Sequence, residues 1–225
     1  MQLIDADKAQ PGLTIVAQSQ TGGKGQRGNT WVDIPGQSLL MSVITTPGQA
    51  IKGQFAFNAL VAVTIANVLQ KLNMGCDICI KWPNDIIVND KKAGGILIEN
   101  VLRGSLWTYC VIGLGLNVKQ EHFLAELPFA TSLKIASGLN VDMIRLRNDL
   151  SSALYECSLR PVPAEISMKR YNEYLYKRGQ TQAFSNSNGR WVAAILGAET
   201  DGSLQVQLAD GSKVFYHHGQ VMWEW

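Results

Sequence analysis

Disulfide scaffolding is the first thing this chain lacks the material for. Its 225 residues carry four cysteines, far below the density of the small secreted scaffolds that depend on them. Charge is scarce as well: charged residues make up 17% and the formal net charge is +2. That excludes a broadly basic nucleic-acid binder while leaving room for a local basic loop. No apolar run suits a bilayer; the richest, residues 55–69, is interrupted by Asn58, Thr64 and Asn67 and falls short of the roughly 18 residues a span needs. The opening MQLIDADKAQ has neither the basic nor the apolar block of a secretion signal. The expectation is a cytoplasmic protein with no membrane partner. Internal repeats and low-complexity tracts are also absent.

What is present is core. A hydrophobic share of 46% excludes general disorder, and the length suits one large domain or one domain with a small appendage. After the Pro11-Gly12 turn signal, LTIVAQS reads as a strand entering a glycine-rich loop over residues 21–29. Strands are expected at 31–34 and 38–44, joined through Pro35-Gly36. Residues 51–72, apolar on nearly every face, read as a helix buried against a sheet. Further strands are expected at 77–81, 85–88, 95–98 and 106–116, with Asn89-Asp90 as a turn pair. Helices are expected at 142–157 and 163–176, separated by Pro161 and Pro163. Beyond Arg178 come short β-rich runs at 191–196, 204–208, 213–216 and 221–223, punctuated by Asp201-Gly202 and Asp210-Gly211. The organisation is thus a mixed α+β unit followed by a small all-β unit.

Two clusters carry chemistry. Residues 22–28 read GGKGQRG and contain G-x-G-x-x-G. The dinucleotide version of that pattern needs a helix directly after the loop and an acidic residue about 20 positions on; here Trp31 and a strand follow, and the 45–46 region has no carboxylate. P-loop and kinase patterns fail too. What remains is a loop whose glycines let backbone N–H groups approach an anion, with Lys24 and Arg27 adding charge; a flexible basic surface loop is the competing reading. Residues 81–99, KWPNDIIVNDKKAGGILIE, place Lys81, Asn84, Asp85, Lys91 and Lys92 around a corner set by Pro83. Lysine, Asn and Asp together suit a phosphate or carboxylate with a metal. The short piece GLGLNV, residues 113–118, has glycines that clear space for a flat ring and an amide, Asn117, able to read a heterocycle edge; a bulged strand end is the plainer alternative.

Together GGKGQRGNTW, GQSLLMSVI, KWPNDIIVNDKKAGGILIE, GLGLNV and Thr131-Ser132-Leu133 resemble, in order and over essentially the whole chain, the biotin protein ligases (biotin–acetyl-CoA-carboxylase ligases). The K-W-P-N-D…K-x-x-G-I-L-x-E block is specific; the glycine loop alone is not. The resemblance implies a class II synthetase-like α+β fold, with a largely antiparallel sheet packed with helices over residues 1–178 and a small SH3-like β-barrel over 179–225. It implies formation of biotinyl-5′-AMP from biotin and MgATP, then transfer of biotin to one lysine of the biotin carboxyl carrier protein of acetyl-CoA carboxylase. By that resemblance Lys92, Arg27 and Asp85 are the catalytic residues. Gln20, Gly23, Lys24, Gly25 and Gln26 lie against biotin, with Gly94, Gly95, Leu97, Gly113 and Gly115 walling it and Lys92 on its carboxylate. The adenylate falls to Arg27, Trp31 (packed on adenine), Lys81, Asn84, Asp85 and Asn117. Mg²⁺ is held through phosphates with Asp85. A homodimer formed through sheet edges is a further implication.

The sequence departs from the family in two places. Lys24 and Gln26 stand where the loop usually carries arginine, so looser retention of the intermediate is expected. The Ser-Thr-Asn segment that precedes the first helix in the family is not found, which is expected to reflect a truncated or late-assigned start. With no helix-turn-helix, no nucleic-acid role is expected. Cys76 and Cys79, His122, His217 and His218, and Trp191, Trp223 and Trp225 are read as packing or surface residues. The alternatives are a lipoyl or octanoyl transferase of related fold, against which K-W-P-N-D and the C-terminal β unit argue, and an inactive biotin- or nucleotide-binding module.

Overall fold

The computed structural model describes residues 1–47, 53–104, 106–160 and 162–225. A short helix α1 (Gln2–Asp5) leads to β1 (Thr14–Ala17). The two-residue strands β2 (Gly23–Lys24) and β3 (Thr30–Trp31) flank a 3-10 turn at Gln26–Gly28. Then follow β4 (Ser38–Thr45), α2 (Gln54–Gln70), β5 (Ile78–Lys81), β6 (Asp85–Val88), β7 (Lys91–Arg103) and β8 (Leu106–Asn117). Three helices come next, α3 (Leu133–Ser137), α4 (Met143–Leu159) and α5 (Ala164–Tyr174). The chain finishes with β9 (Thr181–Asn186), β10 (Gly189–Ala198), β11 (Leu204–Gln207), β12 (Lys213–Tyr216) and β13 (Met222–Trp223).

Six strands form the main sheet in the order β1-β4-β8-β7-β6-β5, every pair antiparallel. The expected α+β class is borne out. Helix α2 contains neither Gly nor Pro and buries residues on all sides, including Phe57, Val61, Ile65 and Leu69, because it is enclosed by α4, α5 and β5. Helix α4 starts where the Asp142 carboxylate accepts hydrogen bonds from the Ile144 and Arg145 N–H groups at 2.9 and 3.1 Å. It buries Leu146, Leu150 and Leu154 at four-residue spacing. Asn89 and Asp90 both take positive φ, 48° and 62°, the geometry of a tight hairpin.

The C-terminal strands form a second sheet, β12-β11-β10-β9-β13, which fits an SH3-like unit. Among the described residues its pairing is an open run, and no closed barrel is found. Asp201 and Asp210 fix its turns by accepting from the Ser203 and Ser212 N–H groups, each at 2.9 Å. One buried core runs without a break from Phe57, Ile80 and Ile112 through Tyr171 to Phe184, Ile195 and Val206 of the second sheet.

Other expectations shift for local reasons. The strand expected at 31–34 stops at Trp31, and Val32 and Ile34 stay exposed. The strand expected at 95–98 spans Lys91–Arg103, because β6 pairs with its start and β8 with the rest. Strand β9, with the polar sequence TQAFSN, and the helix α3 capped by Ser132 were not expected. Residues 51 and 52 of the expected helix, and Pro161, lie outside the described residues. No described helix is long and apolar enough to cross a membrane.

Asn172 joins the two parts: its Nδ2 donates to the Ala198 carbonyl at 3.0 Å, and its Oδ1 accepts from the Ala198 N–H at 2.7 Å. Asn172→Ala is expected to destabilise the whole chain by about 2 kcal/mol, two hydrogen bonds' net worth, in a single transition by chemical denaturation. Selective melting of the C-terminal sheet would contradict the continuity of the core.

Candidate active site

The corner between β5 and β6 organises the site. Lys81 pairs in register with Asp85 across it. The Tyr171 hydroxyl of α5 donates to the Pro83 carbonyl at 3.1 Å. Asn84 straps the corner to β7: its side-chain amide donates to the Ile96 carbonyl, and its own carbonyl accepts from the Ile96 N–H at 3.0 Å.

A one-residue irregularity then aims the central amine. Asp85 opposes Gly95 and Ile86 opposes Gly94, but Ile87 opposes Lys92. Ala93, fully buried, is the extra residue of a β-bulge. Strand side chains alternate, so residues 92 and 95 would otherwise face opposite sides; the bulge puts both on the Asp85 side. The Lys92 ammonium reaches the Asp85 carboxylate at 2.7 Å. The Lys92 backbone is pinned by Phe129 and Thr131, its N–H donating to Phe129 at 2.7 Å and its carbonyl accepting from Thr131 at 2.9 Å. Both side chains are partly exposed, so the pair adds little to stability and serves instead to hold the amine.

Beside this pair lies a cavity of about 990 Å³, in the range of ligand sites. Gln20, Lys24, Gly25 and Gln26 line it from the glycine loop, Leu97 and Gly113 from the sheet. Gly95 and Gly115 form a floor, and a ring already lies on it: a Cβ on Gly115 would stand 2.7 Å from the Trp31 indole, and one on Gly95 3.5 Å from it. The flat ring for which the glycines clear space is therefore, in this structure, the chain's own Trp31. The Trp31 Nε1 and the Gln26 Oε1 are buried without a hydrogen-bond partner, leaving two polar atoms of the cavity wall unsatisfied.

Three expected ligand contacts, Asn117, Gly94 and Gly23, stand outside the cavity lining, and a fourth, Arg27, is engaged at its edge. Asn117 is buried with its amide spent, Nδ2 donating to the Thr131 carbonyl at 3.1 Å and Oδ1 accepting from Gln120 at 3.0 Å. Gly94 sits inside the sheet, where a Cβ would crowd the Gly115 carbonyl. Gly23 packs on the Trp31 carbonyl across the β2–β3 pair. The Arg27 guanidinium points to the second sheet, donating to the His218 carbonyl. Lys81 lines the cavity, but its ammonium donates to the Trp223 carbonyl at 3.0 Å and lies 3.8 Å from the Trp225 ring centroid.

The second sheet is the part of the wall that the sequence did not reveal. Asn186, His218, Gly219 and Met222 line the cavity. His218 sits edge-on to Trp82 with centroids 5.7 Å apart, and burial, then the Arg27 charge, lowers its pKa. His218 thus packs as expected and also lines the cavity, a placement the sequence could not show, since no local signal ties a histidine this far along the chain to the corner at Trp82. The expectation for Trp191 and Trp223 as anchors agrees with their packing on Phe184, whereas Trp225 stacks on Phe129 instead. Among the described residues no three His, Cys, Asp or Glu side chains converge. The donor set suits a Mg²⁺ that arrives with phosphate oxygens and takes one carboxylate.

Comparison with known proteins adds the family context. The model of the biotin/lipoate A/B protein ligase family matches residues 2–117. The bifunctional ligase/repressor BirA of Bacillus spizizenii is 28% identical over 93% of this chain and 66% of its own length. A biotin–[acetyl-CoA-carboxylase] ligase of Paracoccus denitrificans is 32% identical over 51% of this chain and 49% of its own. The chain thus spans two thirds or less of these curated relatives. A biotin protein ligase from Aquifex aeolicus, solved with biotin and ATP, superposes with a TM-score of 0.79 at 19% identity, covering 96% of this chain and 91% of that one.

Burial lowers the Lys81 pKa from 10.5 to about 8. Between those values the unfolded chain keeps a proton that the folded chain has released, so this group's contribution to stability rises with pH there; below about 8 its full penalty applies. Lys81→Met lacks this titration. Its stability relative to wild type is expected to fall as pH rises from 8 to 10.5, read by denaturant unfolding; a difference constant across that window would contradict the burial argument.

Proposed function

The chain belongs to the biotin/lipoate A/B protein ligase family, and from that membership we propose that it activates biotin with ATP and transfers it to a lysine of a biotin carboxyl carrier protein of acetyl-CoA carboxylase. The observation that carries this reading is the bulge-aimed Lys92, 2.7 Å from Asp85, at the edge of a cavity floored by Gly95 and Gly115. In the first step an oxygen of the biotin carboxylate bonds to the α-phosphorus of ATP and pyrophosphate leaves. Two anions must meet, and the Lys92 ammonium would hold the carboxylate against the phosphate, with Arg27 at the phosphate oxygens. This is catalysis by position and charge. Mg²⁺, when bound, supplies further neutralisation of the phosphates, and Asp85 would hold it. In the second step the carrier's lysine amine bonds to the acyl carbon and AMP leaves.

Residues 1–178 are read as the catalytic portion and 179–225 as its SH3-like partner. The residues lining the cavity from β9, from β13 and from the turn before it support reading the two as one working body. The site residues retained are Lys92, Asp85, Arg27, Gln20, Lys24, Gly25, Gln26, Trp31, Lys81, Asn84, Gly95, Leu97, Gly113 and Gly115. Beyond Ile96, which Asn84 engages, β7 pairs among the described residues with β8 alone, and that edge supports dimerisation. The reaction's use of ATP supports the cytoplasmic reading.

Pyrophosphate exchange into ATP is expected with biotin and not with lipoate or octanoate. Ligand binding without any exchange would favour the inactive module, and exchange driven by lipoate or octanoate the related transferase. Lys92→Ala is expected to cut exchange by about 100-fold or more while leaving thermal unfolding unchanged; near-normal exchange would remove Lys92 from its assigned role.

A further inference from the structure

Arg27 finds its partner 191 residues along the chain: its Nη2 donates to the His218 carbonyl. That carbonyl belongs to the 217–220 turn between β12 and β13. The turn is closed on itself, the Gln220 N–H donating to the His217 carbonyl at 3.0 Å and the Gln220 side chain accepting from the His217 N–H at 2.8 Å. It is also braced from the catalytic side, where the His218 ring meets Trp82 edge-on, and Trp82 donates from Nε1 to the Gly202 carbonyl at 3.0 Å. Gly219 makes room for the guanidinium: it has φ +87°, and a Cβ there would overlap the Arg27 side chain. Arg27 itself is held in the left-handed region, φ 54° and ψ 39°, uncommon for a residue with a side chain.

We propose that the 217–220 turn is the positioning element for Arg27, with Gly219 as the residue that creates its seat. His218, Gly219 and Gln220 line the cavity, so the seated guanidinium stands at its mouth. The acceptor is a neutral carbonyl. It fixes the direction of the guanidinium without cancelling its charge, which a carboxylate partner would do. The seat also fastens the glycine loop to the C-terminal sheet, making that sheet part of the loop's folding rather than a separate cover. The inference takes from the proposed function only what Arg27 is held ready for; the tie itself is independent of it.

The test uses the full chain and three variants. Gly219→Ala evicts the guanidinium but also strains a positive φ. Gly211→Ala, in the neighbouring turn at φ +84° with open space around it, carries the same strain without touching Arg27. Arg27→Ala removes the occupant. In the absence of ligand, the Gly25 and Asn29 amides, hydrogen-bonded within the loop, are expected to exchange hydrogen about tenfold faster in Gly219→Ala and Arg27→Ala, the factor a lost charge-assisted bond sets. In Gly211→Ala they should match wild type. In biotin-dependent pyrophosphate exchange, Gly219→Ala should lower kcat/KM for ATP about tenfold in the wild-type background and not at all in the Arg27→Ala background. Equal amide exchange in Gly219→Ala and Gly211→Ala overturns the proposal, as does a Gly219→Ala penalty that persists without Arg27. Absence of biotin-dependent turnover in wild type would fell the function while leaving the amide comparison to decide the tie.

Discussion

Cations gathered at one cavity, as the proposed function requires for meeting two anions, must be kept close together against their own repulsion. Two unit charges a few ångströms apart repel by about 4 kcal/mol near a protein surface, and a chain that gathers several has to hold each one still before any ligand arrives. Here each is held differently. Lys92 is clamped by the Asp85 carboxylate, Lys81 by the Trp223 carbonyl and an indole face, and Arg27 by the His218 carbonyl. Only the first arrangement neutralises its cation; the other two orient a charge and leave it available.

Two of those three holds come from the C-terminal sheet, and this explains why that sheet is not packed as an independent module. Its core is continuous with that of the larger sheet, Asn172 fastens it through both polar atoms of one amide, and Trp225 stacks flat on Phe129, whose carbonyl in turn accepts from the Lys92 N–H. The rigidity of the central amine and the placement of Trp225 thus meet at one residue, Phe129.

Much of this was legible in the sequence wherever chemistry is encoded locally. Pro83 and the Asn-Asp pairs dictate backbone conformation within a few residues, so the corner bearing Asp85 and the hairpin leading to Lys92 could be read directly. The residues that supply distant partners could not. His218, Gly219 and Trp223 acquire meaning only through pairings that span most of the chain, and TQAFSN has no alternation that would mark β9. Asn117 misled for a physical reason: an amide at a strand end looks free to read a ligand until Thr131 and Gln120 are seen to consume it. The glycine floor was half right, since it does accommodate a flat ring, and the structure supplies Trp31.

The bulge at Ala93 bears on how such chains diverge. Between Lys92 and Gly95 the number of residues matters as much as their identity, since strand parity decides which face an amine reaches. Deleting Ala93 would remove the bulge and leave Lys92 two positions from Gly95, still on the Asp85 face, whereas a regular strand of unchanged length would turn the ammonium toward the apolar layer beneath the sheet. A relative one residue shorter there would therefore keep its amine on the same face despite the gap, whereas one of equal length whose strand ran without the bulge would match this region letter for letter and yet would have lost its chemistry without a single substitution.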